Sequence, residues 1–147
     1  MKNINLKKRI IDLINQNKEG LYWDFKSQVP KNNNDLIYDI LCLANCQFNG
    51  DRYLIFGVSQ IDDNFKVIGF NESQKNQIQS DNLQNKLYTF DFAGGVFPEI
   101  ETEFIKIDEK MIGVLIIKDS ENKPYFLEGM RSDQNSHNPQ ICILFIH

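Results

Sequence analysis

The chain has 147 residues, a length that suits one domain with a single sizeable core. Hydrophobic residues make up 41% and charged residues 24% of the chain, and no apolar run approaches the roughly 20 residues of a membrane span, which indicates a globular domain without a membrane-spanning helix. A net charge of -4 excludes a global basic field, so binding to a polyanion would need a local basic patch.

Residues 5–16 predict an amphipathic helix that begins at an Asn5 cap. Its apolar positions recur at helical spacing: Leu6, Ile10, Leu13 and Ile14. The basic run Lys7-Lys8-Arg9 lies on the other side of this helix. The segment has neither an uninterrupted apolar stretch nor a small-residue cleavage site, so it does not resemble a signal peptide, and we expect a cytoplasmic protein.

A first strand is predicted over residues 21–26, after Gly20 closes the helix in the left-handed conformation. Successive side chains of a strand point to opposite faces, so Asp24 and Lys26 share one face while Trp23 lies on the other. A polar loop then leads to the central part of the chain.

The stretch from Asp35 to Phe70 is predicted to be the centre of the fold. Residues 35–45 carry a broad apolar stripe and predict a helix that packs on a core. Residues 52–58 are apolar without alternation, which is typical of a strand buried on both faces. A polar turn at residues 61–64 precedes a return strand over residues 65–70.

The second half of the chain predicts one more helix and a β-hairpin. The helix runs from residue 81 to about residue 90 with Ser80 as its cap, and the hairpin strands cover residues 100–107 and 111–117. Four residues of the apolar strands are predicted to be buried: Leu54, Phe56, Ile112 and Leu115. The order α-β-α-β-β-α-β-β indicates an α/β (α+β) single domain, a mixed β-sheet with helices packed on it.

Several segments, in order and at matching spacing, resemble the Schlafen-type AlbA-like domain family. Residues 21–26 are similar to its Leu-Glu-Phe-Lys strand, residues 35–45 to its helix ending in Ala-Asn, and residues 53–58 to its Leu-Ile-Gly-Val strand. Three later landmarks also match: Ile68-Gly69, Pro98-Glu99-Ile100 and Lys123-Pro124-Tyr125-Phe126. The resemblance covers about residues 18–128 and implies a mixed α/β fold and a nucleic-acid-related role.

Bacterial members of this family are often named DNA-binding transcriptional regulators or ATP-binding proteins by analogy, and some animal members are RNA-cleaving nucleases. Gly94-Gly95 is not followed by the Gly-Lys-Ser/Thr of a P-loop, so the residues themselves give no support for ATP hydrolysis.

The chain departs from the family pattern in three places. The family's Glu is Asp24, its Gly-Gly after Ala-Asn is replaced by residues 46–50, and the later strand with an Arg-x-Gly element is not recognisable. We therefore assign residues 1–128 to the AlbA-like domain and residues 129–147 to an atypical tail. The tail ends in the apolar run 141–146, which is either a divergent last strand or the end of a truncated reading frame, and we expect the second.

A carboxylate beside a lysine on one strand face is what a metal-dependent nuclease needs. Asp24 would hold Mg²⁺ or Mn²⁺, with Glu19 as a second ligand, and Lys26 would steady the developing charge or the attacking water. The resemblance to the RNA-cleaving relatives matches Glu19 and Asp24 to two of their three acids. The third acid aligns with Gln60, which is not an acid. Asp62 or Asp63 can take this place only if the alignment is shifted by two or three residues.

A structural alternative explains the same residues without catalysis. Asp24 and Lys26 would form a surface ion pair, and Asp62-Asp63 would be a hairpin turn.

The predicted nucleic-acid contacts are Lys26, Lys31, Asn45 and Arg52, which together with residues 7–9 are few for a nucleic-acid binder. We interpret the chain first as a nucleic-acid-binding regulatory module, for DNA or RNA, and homodimer formation is compatible with that role. The second interpretation is a metal-dependent ribonuclease that uses Mg²⁺ or Mn²⁺. The third is a protein-interaction module, and neither the first nor the third requires a cofactor.

Overall fold

The computed structural model describes residues 2–128 and 144–146. The helices are α1 (Lys2–Asn15), α2 (Asn33–Ala44), α3 (Lys75–Ile78) and α4 (Ser80–Tyr88). The strands are β1 (Trp23–Lys26), β2 (Arg52–Phe56), β3 (Val58–Ile61), β4 (Asn64–Val67), β5 (Ile100–Ile107), β6 (Lys110–Ile117), β7 (Phe126–Glu128) and β8 (Leu144–Ile146). Within this described part, no helix has the length and apolar character needed to cross a membrane.

Four strands form a mixed sheet in the order β1-β2-β6-β5. β1 runs parallel to β2, whereas β2–β6 and β6–β5 are antiparallel pairs. The predicted mixed α+β fold is therefore confirmed. β2 and β6 are the central strands, which explains why their sequences are apolar without alternation. The four residues that were predicted to be buried all have an exposed fraction of 0%: Leu54, Phe56, Ile112 and Leu115.

Each face of the sheet carries its own hydrophobic core. Leu54 and Phe56 pack with α2, α3 and α4 on one face, which we call the α2 face. Tyr53 and Ile55 point to the opposite face, where they pack with α1 and strands β3 and β4. We call this the α1 face.

The junction between α1 and β1 differs from its prediction. The helix begins at Lys2, so Asn5 lies inside it, and the left-handed residue after the helix is Asn17 (φ 58°). Gly20 has another reason to be glycine, because a Cβ there would lie 2.1 Å from ring atoms of Trp23. Leu21 precedes β1 and is 58% exposed.

The predicted strand over residues 52–58 is divided by Gly57 (φ 104°), whose N–H donates to Lys26 O over 2.7 Å. Glycine can adopt this positive φ because it has no Cβ, and the chain therefore bends at this position. The second part, β3, pairs with β4 in a separate hairpin whose turn is Asp62-Asp63. The return strand ends at Val67, three residues earlier than predicted.

The last predicted helix begins at Ser80 rather than after it. The Ser80 hydroxyl accepts a hydrogen bond from Thr102 N at 2.7 Å, and Gln84 Oε1 accepts one from Ile100 N at 3.3 Å. Both bonds tie α4 to the outer edge of β5. The predicted β5–β6 hairpin is present over the whole of both strands.

Of the tail, residues 129–143 and 147 lie outside the described part of the chain. Residues 144–146 form β8, which pairs in parallel with β7. The domain boundary at residue 128 and the truncated reading frame stay predictions.

Candidate functional site

Lys26 lies between two carboxylates at the edge of the sheet. Because Trp23 and Phe25 fill the α1 face of β1, the alternate residues Asp24 and Lys26 point to the α2 face. Lys26 Nζ lies 3.5 Å from Asp24 Oδ2 and 3.4 Å from Asp39 Oδ2, which belongs to α2. The surface ion pair between Asp24 and Lys26, which the alternative without catalysis predicts, is thus present, and Asp39 is a second carboxylate partner of Lys26.

Glu19 joins this group from the segment before β1. Its Oε1 accepts a hydrogen bond from Phe25 N at 3.2 Å, on the side of β1 that has no neighbouring strand. Its carboxyl group is also hydrogen-bonded to that of Asp24. We call Glu19, Asp24, Lys26 and Asp39 the acid–lysine cluster.

Three pKa values are raised in the acid–lysine cluster. Burial of the carboxyl, followed by the hydrogen bond and the charge of Asp24, raises the pKa of Glu19 to about 7. Burial likewise raises the pKa of Asp39 against the opposing charge of Lys26. Burial opposes the charge of Lys26 itself, but Asp39 and Asp24 outweigh it, so the pKa of Lys26 is raised. Near neutral pH, the Glu19 carboxyl is therefore partly protonated.

Sequence reasoning missed Asp39, although a signal for it exists. It is the one acid inside the apolar stripe of residues 36–44, at a helical position that the core would otherwise take. A single carboxyl of this kind is commonly paired, but its partner cannot be known before α2 is placed against β1.

Asp62 and Asp63 do not join Glu19 and Asp24, so the expected three-acid set is not formed. Both residues form the β3–β4 turn, with φ values of 52° and 66°, and this hairpin packs on the α1 face. Asp24 points to the opposite face of the sheet. Among the residues that the structure describes, no three His, Cys, Asp or Glu side chains are grouped to hold a metal ion.

The side chain of Arg52, a predicted nucleic-acid contact, is buried with an exposed fraction of 0%, which favours a structural role over that contact. Its guanidinium donates to four carbonyl oxygens and one carboxylate: Leu43 O (3.0 Å), Cys46 O (2.9 Å), Phe48 O (3.0 Å), Gly50 O (2.9 Å) and Asp119 Oδ1 (2.6 Å). These bonds fix the loop after α2 to β2. Arg52 is therefore a structural residue.

Lys31 and Asn45, the other two residues predicted to contact nucleic acid, lie at the two ends of α2. Asn45 is the C-cap of α2, and its side chain accepts from Tyr125 N (2.6 Å) and donates to Tyr125 O (3.0 Å). These bonds join segments 80 residues apart, so Asn45 has a structural use whether or not it also meets a ligand. Lys31 is exposed in the loop before α2.

The basic run on α1 is a further group of exposed cations beside these predicted residues. Lys7, Lys8 and Arg9 are all exposed, and none forms an ion pair with the side chains described over residues 5–127. By contrast, Lys26 is only partly exposed and faces two acids. A phosphate would therefore meet cations without a direct ion pair on α1, whereas Lys26 forms ion pairs with two acids.

The sequence also matches a family model, described as Schlafen, AlbA_2, over residues 19–140. The chain belongs to this AlbA_2 family. The matched range extends beyond residue 128, where the resemblance noted from single motifs ends.

One solved structure supports the same fold. It is the solution NMR structure of the N-terminal domain of a "putative ATP-dependent DNA helicase RecG-related protein" from Nitrosomonas europaea. The TM-score is 0.52 at 17% sequence identity, and the match covers 81% of the AlbA_2 chain and 78% of the other. At this identity the likeness concerns the fold alone. No curated protein matches the chain.

Proposed function

We propose that this AlbA_2 domain is a nucleic-acid-binding module with a regulatory role. The observation that carries the proposal is the unpaired basic run Lys7-Lys8-Arg9 on the exposed side of α1. Adjacent cations that form no direct ion pair attract a phosphate backbone, because binding releases the counterions of the nucleic acid. The net charge of -4 makes such a local group necessary.

The comparisons support a nucleic-acid-related role in a general way. The AlbA_2 family resemblance implies such a role, and the structural neighbour carries the name of a DNA helicase-related protein.

The test is a titration of fluorescent RNA and DNA with the full chain at several salt concentrations. Replacing Lys7, Lys8 and Arg9 by Gln should weaken binding and flatten the salt dependence by about one unit of slope for each phosphate that is no longer neutralised. A matched control replaces three exposed lysines elsewhere by Gln: Lys66, Lys106 and Lys110. Salt-independent binding, or equal weakening in both triple variants, would contradict this interface. Absence of any binding would favour a protein-interaction module.

Metal-dependent RNA cleavage is the second candidate, favoured by the contact of Glu19 and Asp24 beside Lys26. Mg²⁺ is commonly held by one or two carboxylates and several waters, so these two acids fit a hydrated ion although they do not make a three-acid site. Such an ion would stabilise negative charge on a phosphate. Lys26 would orient that phosphate, provided that it leaves Asp24 or Asp39.

Cleavage of transfer RNA with and without added Mn²⁺ separates the two candidates. A nuclease should lose activity in Asp24→Asn and keep it in Asp62→Asn, since the second residue lies in the β3–β4 turn of the hairpin that packs on the α1 face. Intact RNA in the presence of Mn²⁺ and the wild-type chain would remove this candidate and leave the binding proposal in place.

A further inference from the structure

A groove runs beside α1 on the opposite side of β1 from the acid–lysine cluster. The cavity has a volume of about 450 Å³, and six of its lining residues are Asn5, Lys8, Arg9, Asp12, Gln16 and Tyr22. The first five share one side of the helix, because their spacings are close to whole helical turns. Small-molecule sites in proteins have volumes of roughly 300–1,000 Å³, so this cavity is large enough for a single nucleotide.

Tyr22 gives the groove a rigid aromatic wall. Its ring is stacked on Phe48 with centroids 4.0 Å apart and an angle of 8° between the planes. The edge contact with Trp23 at 4.8 Å fixes it from another direction. A ring that is already held in place loses little conformational entropy when a ligand packs on it.

The polar residues of the groove suit a nucleotide. Lys8 and Arg9 supply two cations beside the carboxylate of Asp12, and Arg9 also lines a neighbouring cavity that holds three carboxylates. The amides of Asn5 and Gln16 offer both donors and acceptors, which is what the edge of a base requires. The groove therefore combines phosphate-binding, stacking and base-edge groups within one cavity.

We propose that the α1 groove binds single-stranded nucleic acid, with one unstacked base packed on Tyr22 and the adjacent backbone on Lys8 and Arg9. The proposal rests on the nucleic-acid-binding function above and adds the strandedness and the contact residues. A duplex does not fit this arrangement because its bases are already stacked and paired, whereas an aromatic platform recognises bases that are free. RNA and DNA single strands share this chemistry.

The experiment measures fluorescence anisotropy of single-stranded RNA, single-stranded DNA and the corresponding duplexes, each about 12 nucleotides long. The wild-type chain should prefer single strands, and Tyr22→Leu should weaken that binding about tenfold, since a base can no longer stack on the ring. Tyr22→Phe keeps the ring and should bind as the wild type. Tyr88→Leu is the matched control, because Tyr88 is 58% exposed on α4.

A second variant keeps the test valid if Tyr22→Leu does not fold. Gln16→Ala removes an exposed amide of the groove and should weaken single-strand binding by about threefold while leaving duplex binding unchanged. Single-strand binding that is unaffected by both Tyr22→Leu and Gln16→Ala would overturn the groove and leave the proposed function standing. A chain that binds neither single strands nor duplexes would contradict the proposed function itself.

Discussion

Arg52 illustrates how one buried charge organises a loop that the sequence could not explain. The residues that replace the family's Gly-Gly, 46–50, supply three of the carbonyls that its guanidinium binds. Asp119 balances the charge, and the bonds from Lys123, Arg52 and Gly50 N hold the pKa of that carboxyl well below its usual range. The guanidinium has five N–H donors, and each has an oxygen partner.

We predict that Arg52→Ala lowers the free energy of unfolding by at least about 3 kcal/mol, because it leaves buried carbonyls without donors. Arg52→Lys should have a smaller effect, since an ammonium replaces part of the hydrogen bonding. Urea unfolding followed by far-ultraviolet circular dichroism measures both variants. Lys123→Ala is the control, because it removes the other cation on Asp119 from a partly exposed position, and its effect should be small. A stable Arg52→Ala domain with weakened nucleic-acid binding would restore the surface role.

Glu19 makes the stability depend on pH. Its pKa is about 7 in the fold against 4.5 as the ordinary value, so the folded state favours the protonated carboxyl. The contribution of Glu19 is therefore most favourable below about pH 4.5 and is lost as the pH rises to 7. We predict that the stability of Glu19→Gln relative to the wild type increases as the pH rises from 5 to about 8.

Melting temperatures at several pH values measure this difference, and the exposed Glu121→Gln gives the control. A constant difference in melting temperature between Glu19→Gln and the wild type across this pH range would show that Glu19 does not titrate there. Asp24→Asn should shift the titration to lower pH, because the charge and hydrogen bond of Asp24 are both causes of the raised pKa.

At the scale of elements, Asn17 attaches the β3–β4 hairpin to the end of α1. Its Nδ2 donates to Asp63 O (3.3 Å) and Asn64 Oδ1 (2.8 Å), and its Oδ1 accepts from Phe65 N (2.7 Å). The backbone of Asn17 is left-handed, a conformation that asparagine tolerates better than most residues. One residue thus ends a helix and holds a hairpin 46 residues later in the chain.

Two substitutions of Asn17 separate these roles. Asn17→Gly keeps the left-handed backbone and should cost about 1 kcal/mol, because the side-chain hydrogen bonds are removed. Asn17→Ala should cost about 1 kcal/mol more because alanine resists that conformation. Urea unfolding gives the energies, and amide exchange at Phe65 should accelerate in both variants. If the exposed helical control Asn15→Ala accelerates exchange at Phe65 equally, the hairpin is not held by Asn17.

The sequence predicted the elements whose pattern is local and missed contacts that need the assembled fold. Residues 53–56 of β2 and 111–117 of β6 are continuous apolar runs, and the β5–β6 hairpin follows from its turn. The bend at Gly57, by contrast, depends on a bond to Lys26 O and on the packing of a second hairpin. For the same reason the ion pair of Asp24 and Lys26 was predictable from strand alternation, whereas its extension to Asp39 was not.

At the scale of the whole molecule, one sheet separates two hydrophobic cores and also couples them. Leu54 belongs to the core on the α2 face, and its neighbour Ile55 belongs to the core on the α1 face. The single tryptophan of the chain, Trp23, lies in the second core. Because both cores require the central strands β2 and β6, neither should persist when the other is disrupted.

We therefore predict that Leu54→Ala shifts the unfolding of both cores together. The cavity should cost about 2–5 kcal/mol, since Leu54 has an exposed fraction of 0%, and Leu21→Ala at a 58% exposed position gives the matched control. Trp23 fluorescence follows the α1-face core, and far-ultraviolet circular dichroism follows the helices, most of which cover the α2 face. A cooperative domain requires the two midpoints in urea to fall by the same amount. If only the dichroism midpoint moves while the Trp23 midpoint stays at its wild-type value, the two faces unfold separately and the shared sheet does not couple them.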